Sequence, residues 1–409
     1  MLYQTLRSYY YKSNAEYQSE YEARFFAPFT RRFDFEVQQT GWSSTHKIFF
    51  CYTEEIVTLL VDILKENYAL GAIMRRTPIV ALIQLNKQSL REEIFSTNEI
   101  EGVRSSRKEI KQAIENQLSK DKRNRFYSIA GKYIKLSKKE SIPFQTCENL
   151  RNFYDNFVAD EIKAENPQNL PDGKLFRKAG VSVRTPTQKV LHEGLFPEKK
   201  IIQAMTDALG LLHDETIPSL IRISIFHYLF GYIHPFYDGN GRTSRFIASY
   251  YLSQELQNIV GLRLSITVKQ RKKDYYQIFD ETNSDINRGD LTPFITQFLN
   301  FILVTIQGLQ KTLQEKLQQL SKYDTALKKL LKDKGLEDDL LHRICYVLLQ
   351  AAMFSSDGAT IREIQDAVEK ARGTVDNRIS KIPSEWILKD TSPRQHRYKF
   401  NVLALRSQL

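Results

Sequence analysis

Cysteine is scarce in this chain. Cys51, Cys147 and Cys345 are odd in number, far apart and without a CxxC pair, which argues against a disulfide framework or a cysteine zinc site and leaves three buried thiols as the expectation. Glycine and proline, 17 and 12 residues of 409, are too few for a fibrous or disordered class. No apolar run of transmembrane length is read, and the opening MLYQTLRSYYYKSNAEYQ lacks the apolar segment and small-residue cleavage site of a secretory signal. A soluble cytoplasmic protein with no membrane partner is therefore expected. Period-two alternation is also rare, whereas apolar residues at three- and four-residue spacing dominate, so a mostly α protein is predicted. Acidic residues are in deficit, 48 against 59 Lys and Arg, for a net charge of +11. That balance suits nucleotide, nucleic acid or an acidic protein surface without choosing among them.

The length exceeds that of one usual core, so several units are expected. Residues 1–70 read as an aromatic-rich N-terminal extension, either short strands or a packing platform, with no chemistry assigned. A helix is predicted from Thr53 to Leu70, and a second over TPIVALIQLNKQSLREEIFSTNEIEG in a region 71–118. Pro78 suits its first turn and Gly102 its end. Thr97 and Glu101, four apart, share a face of that helix. A carboxylate at a helix C-terminus opposes the dipole, a hint that another group holds Glu101 there. In the body, 119–305, the many Lys and Arg of Arg104 to Lys139 fit a solvated face. Lys178 to Val183 is the best strand candidate and predicts a β-hairpin able to clamp an extended segment, with a plain connecting loop as the alternative. Ile217 to Tyr232, apolar on most faces, predicts a central buried helix. Residues 306–336 read as a long exposed linker helix. Residues 337–409 read as helix, helix-turn-helix and two-stranded wing, a winged-helix arrangement with Val375 to Ile382 in the groove-reading position. From Lys370 onward nine Lys or Arg stand against three Asp or Glu, and both DNA and protein remain open as partners.

The most specific stretch is Ile233 to Arg245, IHPFYDGNGRTSR. A glycine-bracketed loop entering a helix presents amides with no internal acceptor, which makes an anion cradle of Gly239, Asn240 and Gly241. Arg242 and Arg245, three apart in the first turn, can present two guanidinium groups to a polyphosphate. Asp238 at its mouth is a hard carboxylate of the kind that holds Mg²⁺ beside phosphate oxygens. His234 can take a proton from an attacking hydroxyl. Each residue singly has a structural alternative, as turn, cap, surface residue or core histidine; His227 in the preceding helix is read as core or positioning.

With every specified position matched, HPFYDGNGRTSR resembles the signature of the Fic (filamentation induced by cAMP) family, HPFx(D/E)GNGRxxR. The resemblance implies a Fic-type helical bundle with a small β-hairpin flap. It also implies a nucleotidyltransferase that moves AMP from ATP onto a Tyr, Thr or Ser hydroxyl of a target protein or of itself. His234 would be the base, Phe236 a core anchor, Asp238 the Mg²⁺ ligand, and Gly239, Asn240 and Gly241 the anion hole. Arg242 would contact the triphosphate and Arg245 the γ-phosphate. The substitutions of the family's phosphorylating branch are absent, which favours AMP transfer. GKLFRKAGVSV, followed by His192, resembles the target-docking flap, with Lys178, Val181 and Val183 as its candidate residues. TNEIEG fits the inhibitory motif (S/T)xxxE(G/N) as Thr97, Glu101 and Gly102. In the resemblance Glu101 pairs with Arg245 and blocks the γ-phosphate within one chain. The likeness covers Leu70 to Ile302, and bacterial relatives with a C-terminal winged helix make the tail familiar. Removal of AMP using Glu101, a DNA-binding regulator that senses nucleotide, and homodimerisation stay open.

Overall fold

The computed structural model describes residues 3–119, 124–184, 190–391 and 396–408. Part of the basic stretch (120–123), the middle of the predicted flap (185–189) and the tip of the predicted wing (392–395) lie outside the described residues. The protein is mostly helical, as its spacing predicted.

The aromatic N-terminus supplies strands β1 (Thr30–Val37) and β2 (His46–Cys51), antiparallel, with Thr30 opposite Cys51 and Val37 opposite His46. Along β1, Phe33, Phe35 and Val37 are buried while the charged residues between them face out, the period-two consequence of the pleat. On β2, Ile48 through Cys51 are all fully buried. The buried Asp290 accepts hydrogen bonds from Tyr3 (2.5 Å) and Arg24 (3.4 Å), so this segment is built into the unit that carries the site. All three cysteines are free and buried, as expected.

Next come α1 (Glu54–Arg76) and α2 (Ile79–Ile100), then α3 (Cys147–Asp155), α4 (Ala159–Glu165), β3 (Ser182–Arg184) and β4 (Val190–Glu193). Helix α5 (Ser219–Ile233) is buried nearly all round, which explains its lack of a polar stripe. It is followed by α6 (Asn240–Glu255), α7 (Leu264–Gln270), α8 (Lys272–Asn283) and α9 (Thr292–Asp333). By packing, one unit comprises residues 1–67 and 91–306, and the other 68–90 and 307–409. The boundaries read from the sequence differ: residues 68–90 go with the C-terminal part, and α9 is one unbroken helix of 42 residues. Its second half is not simply exposed, because Leu313, Leu320, Leu327 and Leu330 recur at helical spacing and are buried. Helix α9 also corrects the reading of apolar runs. One 18-residue window in it reaches membrane-spanning apolarity, since its scattered Gln, Asn and Thr interrupt the run without lowering the mean enough; 56% of that window is buried inside the protein, as in a core helix.

The second unit contains α10 (Asp339–Phe354), β5 (Ala359–Thr360), α11 (Ile361–Val368), α12 (Arg372–Ile379), β6 (Ile387–Asp390) and β7 (Arg397–Phe400), with the antiparallel sheet in the order β5-β7-β6. Thr360 and Glu363 form a capping box at the start of α11. Glu363 also meets Lys87 from the N-terminal half of α2, whose Ala81 N–H donates to Gln350 (3.2 Å).

Candidate active site

The site is built at the turn between α5 and α6. His234 ends α5 in the left-handed region (φ 52°), and Gly239 opens α6 at φ 78°. The side chain of Asn240 closes the loop between them, accepting from Phe236 N–H (3.0 Å) and donating to Phe236 C=O (2.8 Å). Phe236 is fully buried and stacks on Tyr154 with ring centroids 3.7 Å apart, while the Tyr154 hydroxyl donates to the Asp238 carbonyl (3.1 Å). The loop is thereby fixed from below. The first-turn amides of Asn240, Gly241 and Arg242 have no helical acceptor. Because its side chain is spent on the loop, Asn240 can offer a ligand only its backbone.

Arg242 and Arg245 are both buried, at 0% and 1% exposure. Arg242 Nη1 donates to Glu161 on α4 (2.9 Å), while its Nε and Nη2 have no hydrogen-bond partner. Two orphaned donors beside the loop are what an entering anion would satisfy. Arg245 is fully engaged by α2. Its Nη1 lies 2.8 Å from Glu101, its Nε donates to Thr97 Oγ1 (3.0 Å), and its Nη2 donates to the Thr97 carbonyl (3.1 Å). Gly102, at φ 75°, ends α2, and Val103 N–H closes back on Asn98 C=O (2.9 Å). A methyl group on Gly241 would stand only 2.2 Å from Glu101 Oε1, so the carboxylate lies directly on the cradle. Burial raises the Glu101 pKa most, but Arg245, with Arg242 and His234, outweighs it and the net shift is downward, keeping the group ionised.

His234 keeps part of its surface open. Burial of the remainder, with His192 and Arg177 nearby and Glu101 opposing, pushes its imidazole down to about 4. It is neutral at pH 7 and can accept a proton. His227 is a core histidine, bridging Ser244 (2.8 Å) and Tyr275 (2.8 Å) and pushed down to about 3 chiefly by burial.

The flap is present but shifted. A strand was expected over Lys178 to Val183; β3 starts only at Ser182, where Ser182 pairs with Glu193 and Val183 with His192. Lys178 and Ala179 cannot join it because their backbone is pinned elsewhere. Lys178 N–H donates to Asp172 (2.9 Å), Ala179 N–H to the Tyr237 hydroxyl (3.0 Å), and the Ala179 carbonyl accepts from Arg177 (2.6 Å). Val181 still pairs by its carbonyl with Gly194 N–H (3.0 Å).

Asp238 is partly exposed, and one of its oxygens takes Gly239 N–H. Among the described residues no group of three metal-ligating side chains occurs. A single carboxylate at the mouth of an anion cradle fits Mg²⁺ delivered with phosphate oxygens and water, and does not fit an all-protein metal cage.

Sequence reasoning missed Glu161, Tyr154 and Arg177. Glu161 and Tyr154 are ordinary members of amphipathic helices and carry no local signal. Arg177 stood inside the stretch that resembles the flap and could have been found there as a charge among apolar and small residues.

The family model of the Fic/DOC family matches residues 144–252. The chain is similar to a protein adenylyltransferase Fic of Nematostella vectensis, 33% identical over 97 residues, 24% of this chain and 21% of that protein. It is also similar to protein adenylyltransferase fic-1 of Caenorhabditis elegans, 26% identical over 178 residues, 42% of this chain and 33% of that protein. The match to the Nematostella and Drosophila relatives thus spans about a fifth of their length. Among solved structures, a Fic family protein from Desulfovibrio desulfuricans aligns with TM-score 0.49 and 19% identity over 85% of this chain and 96% of that one. His234, the glycine loop and both arginines all fall within the matched residues, and the segment 144–252 of this chain is a Fic domain.

Proposed function

We propose that this protein transfers AMP from ATP to a Tyr, Thr or Ser hydroxyl of a target protein or of itself, and that α2 holds the reaction off. The observation that carries this reading is the Glu101 carboxylate, lying over Gly241 and 2.8 Å from Arg245, where a phosphate would otherwise bind. The names of the adenylyltransferase relatives support the chemistry.

With Glu101 displaced, the amides at the start of α6 and the two free donors of Arg242 receive phosphate oxygens, and Arg245 becomes available to the terminal phosphate. Mg²⁺ at Asp238 would supply charge neutralisation along the triphosphate. His234 takes the proton of the hydroxyl, the hydroxyl oxygen forms a bond to the α-phosphorus, and the bond to pyrophosphate breaks. The flap pairs with the target chain by strand addition. Catalysis rests on positioning and charge stabilisation.

Incubation with α-labelled ATP tests this. Glu101→Gly is expected to raise labelling of the protein or its target, and His234→Ala in that background to abolish it; no gain in Glu101→Gly sinks the inhibition, and label persisting without His234 sinks the mechanism. If Glu101 instead serves AMP removal, wild type strips a modified target and Glu101→Gly does not.

A further inference from the structure

Arg177 is among the largest fully buried side chains and has no carboxylate partner among the described residues. Its guanidinium is spent entirely on backbone carbonyls: Nε donates to His234 (2.9 Å), Nη1 to Ala179 (2.6 Å) and Nη2 to Leu195 (2.8 Å). Its own N–H donates to Pro235 (3.2 Å). Four bonds thus join the approach to the flap, the exit from it and the turn that carries the candidate base. His234 is held in a left-handed conformation that a β-carbon makes costly, so its carbonyl needs an external partner, which Arg177 supplies. The packing at Gly194 is equally tight: a methyl there would stand 2.4 Å from Arg177 Nη2 and 2.8 Å from His234 Cβ. A buried cation without a counter-ion is expensive, and a neutral side chain could donate some of these hydrogen bonds more cheaply. The charge therefore calls for a use.

Resting on the reading of His234 as base, we propose that Arg177 is a positioning residue. It locks the His234 turn to both ends of the flap, and its uncompensated charge adds to burial and His192 in disfavouring the imidazolium. The charged and titratable groups facing the imidazole are Arg177, His192 on β4 and Glu101 on α2; the first two disfavour the imidazolium and Glu101 favours it. Burial lowers the pKa of Arg177 to about 10, so it still carries its charge at neutral pH.

The test is an NMR titration of the histidine ring protons in the full chain, with the His234 signal assigned by its loss in His234→Ala. In the neutral variants Arg177→Met and Arg177→Gln the His234 midpoint is expected to move upward, toward its ordinary value, by about one pH unit. His192 should move in the same sense. Arg177→Lys keeps the charge but cannot reach three carbonyls. Its midpoint should remain low while kcat for labelling in the Glu101→Gly background falls about tenfold or more with KM little changed. The inference is overturned if a folded neutral variant leaves the His234 midpoint in place, or if the Lys variant raises it as much as Met does. Should neither neutral variant fold, the Lys variant decides: a low midpoint with reduced kcat supports the inference, and an unchanged kcat overturns it. The titration needs no turnover, so an inactive Glu101→Gly protein would count against the transferase reading while leaving this measurement intact.

Discussion

Two small residues report on how Glu101 is held. Thr97 gives Arg245 both a hydroxyl and a carbonyl acceptor, so Thr97→Ala strands one buried guanidinium donor only while α2 is docked. At about 1–3 kcal/mol for such a group, labelling should rise roughly 5- to 150-fold above wild type yet stay below that of Glu101→Gly. Equal labelling by wild type and Thr97→Ala would show the hydroxyl to be dispensable. Gly241→Ala separates inhibition from binding. Its methyl group cannot coexist with Glu101 where it stands, but it also fills the cradle, so no gain in labelling is expected and ATP affinity, measured by calorimetry, should fall. Glu161 acts from farther back. Glu161→Ala leaves buried Arg242 with only the longer pair to the partly exposed Asp238 (3.9 Å), with an expected loss of about 3–5 kcal/mol in denaturant unfolding, whereas a loss below about 1 kcal/mol would show that Asp238 or water replaces the carboxylate.

At the scale of elements, α2 docks through a further acid, Glu93, which unlike Glu101 is fully buried. Glu93 accepts Ser265 N–H (3.0 and 2.9 Å) and the Ser249 hydroxyl (3.4 Å), and burial raises its carboxyl to about 7 despite these bonds and Arg245. The folded protein therefore holds this proton more tightly than the unfolded chain. The stabilisation is complete below about pH 4.5 and is lost as pH rises through about 7, to a limit of roughly 3 kcal/mol. Urea unfolding at pH 5 and pH 8 should show this decline in wild type and a flatter profile in Glu93→Gln; identical profiles would remove Glu93 as its source. The helices around the site were legible because apolar spacing and Gly102 mark them locally. The flap's register was not, because Lys178 and Ala179 are held by Asp172, Tyr237 and Arg177, partners that no local propensity encodes.

For the whole molecule, we propose duplex DNA as a partner of the C-terminal part, from the nine Lys or Arg against three Asp or Glu counted from Lys370 onward and from helix α12, where Arg372 and Asn377 are exposed. We expect full-length protein to bind duplex in a fluorescence assay with affinity falling steeply with salt, and Lys370→Ala combined with Arg372→Ala to lower both the affinity and the salt slope; no binding at low salt would remove this partner. The sequence by itself determined the mostly helical class, the glycine-bracketed turn between His234 and Arg245 and the end of α2 at Gly102, because each depends on residues within a turn or two of one another. Only the tertiary structure decided that Glu101 lies on Gly241 and Arg245, that Glu161 neutralises Arg242, and that Arg177 ties the β3–β4 hairpin to the His234 turn. Those pairings join residues 57 to 144 positions apart, and burial, which makes an unpaired charge costly and a paired one informative, exists only once the chain has packed.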